Sequence, residues 1–336
     1  GVWIMAYTTI DNPELYFQTV LYSGNNTSQS ITLDGDEDMQ PDFVWIKERN
    51  GTEQHNLFDS VRGSTKRLQS DSTNAEWDSA TNITSFNSDG FSIGSSDAIN
   101  DSGNTQVAWC WKESAVSGFD IVSYEGNASG GTHSHSLSAV PHFMTVKNFD
   151  ASDQNWGVYH QSLGGTKYLE LNNTGAVASD IGGYERWNST APTSSVFSAG
   201  PSDTTDESSH THIAYLWSEK QGYSKFGSYT GNANADGPFI YTGFRPAMVI
   251  LKNTAGTHNW QIMDNKRKPA NPVDGLLKPN ASTAEQDPSD AKDFLSNGFK
   301  IKNSAAENNG SGNTFIYLAF AEAPFVNSNG VPCNAR

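Results

Sequence analysis

Two groups of side chains in this sequence have the types and spacing that chemistry requires. The first is histidine. Six of the eight histidines lie between positions 133 and 212, and four of them form the pairs His133-Ser134-His135 and His210-Thr211-His212. Alternate residues of a strand share one face, so each pair offers two imidazoles to the same side. Two such pairs lying together would suit a divalent metal such as Zn, Ni or Fe. The plain alternative is polar residues leading into strands. The second group sets aromatic rings beside carboxylates, in Glu76-Trp77-Asp78 and in Tyr184-Glu185-Arg186-Trp187. A ring face for the apolar side of a pyranose, with an acceptor for its hydroxyls, is what sugar recognition needs. Trp77, Asp78, Tyr184 and Trp187 are therefore the candidate ligand-binding residues. Their plain alternative is a ring tucked beneath its own loop.

Other chemistries find no foothold. There is no Gly-x-Ser-x-Gly elbow, no His-Glu-x-x-His and no phosphate-cradling glycine loop before a helix. Carboxylates are abundant, but spacing singles out no pair. The expectation is a protein without catalytic residues, and without a cofactor other than that divalent metal. Asp34-Gly35-Asp36-Glu37-Asp38 begins like a calcium loop. Met39 stands where that loop needs glycine and Trp45 where it needs a bidentate glutamate, so the stretch reads as an exposed acidic turn. Cys110 reads as a small core hydrophobe, and a Cys110–Cys333 bridge stays open.

Charge narrows the partners. The formal net charge is −16, from 21 basic and 37 acidic residues, which disfavours attraction to nucleic acid or to an anionic membrane. No apolar run is long enough to span a bilayer. Hydrophobic residues make up 35% of the chain and aromatics 11%. That balance argues against disorder and for small, turn-rich β units with thin aromatic cores.

The elements that must position these groups recur three times. A strand starting at Thr105 (TQVAWCWKE) returns 106 residues later at Thr211 (THIAYLWSE) and 103 residues after that at Thr314 (TFIYLAFAE). Each copy also carries an aromatic-x-Gly-Asn turn, at Tyr22, Tyr124 and Tyr229, read as a tight turn at positive φ. Each has an apolar strand led by Pro41, Pro141 or Pro246 and ended by Lys47, Lys147 or Lys252. Proline at a strand's start forfeits no ladder donor, and the unbroken apolar run predicts burial on both faces. Copies disagree most over 69–81, 170–191 and 278–294, which is loop behaviour. One short helix fits within Ala281 to Leu295.

The predicted fold is all-β, with three tandem antiparallel β-sandwich modules of jelly-roll or lectin-like layout and seven or eight strands each. Their bounds are 17–115, 116–220 and 221–325, after an N-terminal arm over 1–16 and before a tail over 326–336. Met5 reads as a natural start, with Gly1 to Ile4 an upstream extension. The leader is an arm docked on a neighbour or a frayed end, and chain termini favour the second.

The leader Met5 to Asp11, Pro41 to Lys47, Leu57 to Gly63, Ser88 to Phe91 and Ala108 to Lys112 together resemble repeat-built virion proteins of marine tailed bacteriophages, of the tail-fibre-like or appendage kind. The likeness is close in the leader and first copy and weaker beyond. It brings no catalytic residues. It implies an extracellular virus particle, other virion proteins as partners, a homo-oligomer with a trimer as first candidate, and attachment to a host-surface polysaccharide. A purely architectural decoration protein is the alternative, and a polysaccharide depolymerase a distant one.

Overall fold

A computed structural model of the chain describes residues 6–287 and 292–333. The fold is all-β, built from antiparallel sheets. The first large sheet has the spatial order Phe17–Ser23, Thr105–Trp111, Phe43–Glu48, Asn56–Asp59, Lys66–Gln69 and Trp77–Asp78. The second repeats it with Phe119–Glu125, Thr211–Trp217, Phe143–Asn148, Gly157–His160, Lys167–Glu170 and Ala178–Ser179. The third keeps four strands, Ser224–Thr230, Thr314–Pro324, Phe244–Asn253 and Trp260–Asp264. A small sheet of two or three strands accompanies each. The thrice-repeated strand lies second in every large sheet, hydrogen-bonded on both sides.

Alternation along that strand feeds two different cores. Val107, Trp109 and Trp111 point into one cluster, together with Ile213, Tyr215 and Trp217 and with Ile316, Leu318 and Phe320. All three large sheets thus meet in a common aromatic core. The intervening residues, Ala108 and Cys110, face the first small sheet and join Val20, Ile31 and Phe91. Ala214 and Leu216, then Tyr317 and Ala319, do the same in the later copies. This explains the residue sizes: large rings fill the wide centre, and mostly smaller residues face the thin outer layers. It also explains why Phe43–Glu48 and Phe143–Asn148 are buried throughout, as the unbroken apolar runs predict.

Contacts between copies run in a cycle. The amide of Glu76 donates to Phe149, that of Val177 to Thr254, and that of Glu285 to Arg49, closing third copy onto first. The indoles of Trp156 and Trp260 donate to the carbonyls of Gln69 and Glu170 of the preceding copy, each at 2.9 Å. Buried lysines join in. Lys147 Nζ donates to Thr73 O at 3.1 Å as well as to three carbonyls of its own loop, and Lys252 reaches Thr174 O. Desolvation holds Lys47, Lys147 and Lys252 down at about 8.

Several expectations are corrected. The Tyr-x-Gly-Asn turns place positive φ not on the glycine but two residues later, at Asn26, Ala128 and Ala233. Gly24, Gly126 and Gly231 are needed for close approach instead, because a Cβ there would lie within 2.3 Å of the carbonyl oxygens of Asp101, Glu207 and Gly310. Lys292–Leu295 is a strand, while the α-helices among the described residues are single turns at Asp97–Asn100, Asp203–Asp206 and Ala306–Asn309; part of the predicted helix, 288–291, lies outside the described residues. Pro246 sits inside its strand at a register shift, where a missing N–H is tolerated. The leader from Tyr7 onward packs against its own chain rather than fraying: Ile10 is buried in the common core and Tyr7 donates its hydroxyl to Gly243 O at 2.8 Å. Gly1 to Met5 lie outside the described residues. Cys110 is buried and Cys333 exposed, and both are free.

The seams differ electrostatically. Between second and third copies Glu219 pairs with Lys225 at 2.6 Å. At the matching place between first and second copies the partner of Glu113 is Asp120, a second carboxyl. Burial and then that neighbour push Glu113 up to about 8. A group whose folded pKa exceeds its unfolded value contributes stability that is complete below about 4.5 and lost as pH rises through about 8. Melting temperature should therefore fall at this seam between pH 5 and 8. Asp120→Asn, which can donate to Glu113, should flatten that fall by about 1 kcal/mol, allowing for screening of the half-exposed Glu113. An unchanged pH profile in the variant would refute the assignment.

Candidate functional site

The histidines do not assemble. The rings of His133 and His212 both stack on Tyr124, with centroids 3.8 and 5.2 Å away, so their faces are spent on an aromatic neighbour. His212 is fully buried and desolvation holds it down at about 4. His135 meets Thr193 O at 3.1 Å, and His210 meets Ser208 O at 3.1 Å with Glu207 beyond. Among the described residues no three His, Cys, Asp or Glu side chains come together as a metal group. That finding also covers the acidic turn, where Asp34 pairs with Lys266 at 2.7 Å.

The aromatic candidates separate. Trp187 is 1% exposed, packed in the second copy's outer core at 6.0 Å from Tyr159, so it is a core residue and not a binding one. Its backbone amide and that of Arg186 donate to the Asp180 carboxylate, which holds the base of the loop. Tyr184 sits on that loop and is 77% exposed, but does not line the pocket described next.

Trp77 is different. It is 62% exposed and lies in the short edge strand Trp77–Asp78, opposite Arg67 in the ladder. Directly opposed residues share a face, so the indole and the guanidinium stand side by side. They line a surface pocket of about 430 Å3 whose other walls are Gln54, Gln69, Asn74, Ala75, Glu76 and Ser152, the last from the second copy. Asp78 is exposed and opposes Lys66. As the next residue along the strand it faces away from Trp77, so it is not part of this pocket. Glu76 is taken: one oxygen accepts from Arg62 at 3.0 Å and the other pairs with Lys66 at 3.2 Å. Gln69 Oε1 accepts from Asn74 Nδ2 at 3.2 Å, which orders the amides on the rim.

Arg67 was not among the candidates that sequence reasoning produced. Its signal was there in the copy comparison: the residue opposite the edge strand is Arg67 in the first copy and Tyr168 in the second, where it faces Ala178. Burial holds Arg67 below the ordinary guanidinium value, with Glu53 pulling the other way.

The described residues define an all-β repeat protein with a ring-walled, polar-rimmed pocket on its first copy. A family model described as a domain of unknown function, DUF7483, matches residues 12–324, and the chain belongs to that family. The match runs across all three copies, in keeping with the core they share. No curated protein matches the chain.

Proposed function

We propose that the chain is a non-catalytic structural protein of a tailed-phage particle, made of three tandem antiparallel sandwich modules of jelly-roll or lectin-like layout, that binds a host-surface glycan at Trp77. The virion setting comes from the sequence resemblance. The binding reading rests on one observation, the Trp77 indole exposed at the wall of a pocket rimmed by Gln54, Gln69 and Asn74. An apolar pyranose face stacks on such a ring, and side-chain amides serve hydroxyls as both donors and acceptors. Recognition is favoured over hydrolysis because Glu76 spends its oxygens on Arg62 and Lys66 while Asp78 faces away, so no carboxylate pair flanks the ring.

Trp77→Ala should weaken binding to host polysaccharide by at least about tenfold, the loss expected for one stacking ring, and leave the melting temperature within about 2 °C, as expected of a surface change. Unchanged retention on a polysaccharide column would count against the reading and favour a purely architectural role. Immunogold labelling of particles with antibody to this chain tests the setting.

A further inference from the structure

We propose that the Trp77 pocket selects a saccharide bearing an anionic group, whose charge is read by Arg67. This rests on the glycan reading above and goes further by naming the class of ligand. Six arginines lie in the described residues, and five of them have a carboxylate partner. Arg49 pairs with Glu285, Arg62 with Asp59 and Glu76, Arg186 with Glu170, Arg245 with Glu322, and Arg267 with Asp264 and Glu285. Arg67 has none, and its Nε is buried without a hydrogen-bond partner. In a chain with 37 acidic residues against 21 basic ones, carboxylates are easily found. The one guanidinium left without one lines the pocket.

The surroundings keep that charge available. Glu76, the acid in the pocket wall, is already neutralised by Arg62 and Lys66. Glu53 is the acid whose charge reaches Arg67, and it is exposed and forms no ion pair with it. Because Arg67 opposes Trp77 in the ladder, a pyranose stacked on the indole brings a ring substituent toward the guanidinium. A planar fork of donors suits a carboxylate or a sulfate ester in two-point contact. The second copy is built differently at this place. There Tyr168 replaces Arg67, and the nearby Arg186, 3.5 Å above the Tyr168 ring, is bound to Glu170.

Titration calorimetry with three oligosaccharides of equal length tests this: tetragalacturonate, a sulfated dextran tetramer and neutral maltotetraose. The native chain should bind at least one acidic oligomer about tenfold more tightly than the neutral one, the weight of a charge-assisted contact, and the margin should shrink at high salt. Arg67→Gln should bring the acidic oligomers down to the affinity the variant shows for the neutral one, erasing the preference, whereas Trp77→Ala should weaken all three. Preference for the uronate or for the sulfated tetramer identifies the anion. Equal binding of acidic and neutral oligomers by the native chain, still weakened by Trp77→Ala, would overturn the anionic selection alone. Binding of none of them would overturn both readings. Because Arg67 has no protein partner, Arg67→Gln should melt with the native chain, and the melting curve serves as the folding control.

Discussion

Trp111→Ala is expected to lower the stability of the entire chain by about 3–5 kcal/mol, the usual loss for a fully buried tryptophan. Trp111 is 2% exposed, and its ring lies 4.9 Å from Phe17, 5.4 Å from Phe43, 6.2 Å from Trp217 and 5.6 Å from Phe320. Those neighbours come from all three copies, so the cavity would open where the three large sheets meet. Unfolding of the native chain should accordingly be a single cooperative transition, and the variant should shift it as a whole. Differential scanning calorimetry decides the matter. Separate transitions, of which only the first copy's moves, would mean that the copies stand alone and that the shared core contributes little.

The second large effect concerns a buried ion pair at the seam. Asp59 and Arg62 have side chains 0% and 1% exposed and meet at 2.6 Å, and Asp59 also accepts from Tyr215 of the second copy at 2.7 Å. The third copy repeats the device with Asp264 and Arg267, and Asp264 accepts from the indole of Trp109 at 3.0 Å. The second copy abandons the charges: His160 stands in the aspartate's place and meets Tyr317 O at 3.3 Å, with Leu163 in the arginine's place. Asp59→Ala should cost about 3 kcal/mol, because it takes the closer of two carboxylates from a buried guanidinium that keeps only Glu76, and removes the acceptor of a buried hydroxyl. The double change Asp59→His with Arg62→Leu imports the second copy's uncharged solution and should cost clearly less than the single change. If urea denaturation finds the double variant as unstable as Asp59→Ala, charge pairing would not be the term that matters at this seam.

How much of this was legible beforehand depends on the range of the interaction. The three strands beginning at Thr105, Thr211 and Thr314 could be aligned because each obeys a period of two, and burial on both faces followed from their unbroken apolar character. The glycine turns were legible as turns, but their reason was not, since the carbonyls of Asp101, Glu207 and Gly310 that crowd the glycines lie about 77 to 81 residues away along the chain. The candidate site split in the same way. Trp77 was recognisable from its local pattern, whereas Trp187, with the same local pattern, is core. Trp187 packs on Tyr159, and Trp77 lies on an edge strand with no sheet beyond it. Arg67 escaped notice because an arginine in a strand says nothing until every carboxylate partner has been sought in space.

By itself the sequence determined the all-β class, the threefold repetition and the two faces of the central strands, because pleat and periodicity are properties of neighbouring residues. Only the tertiary structure decided that the copies close in a cycle around one aromatic core, that the four histidines form no metal group among the described residues, and that Arg67 stands unpaired beside Trp77. Each of these depends on which strands lie across from one another, and that pairing is settled by packing between segments tens to hundreds of residues apart.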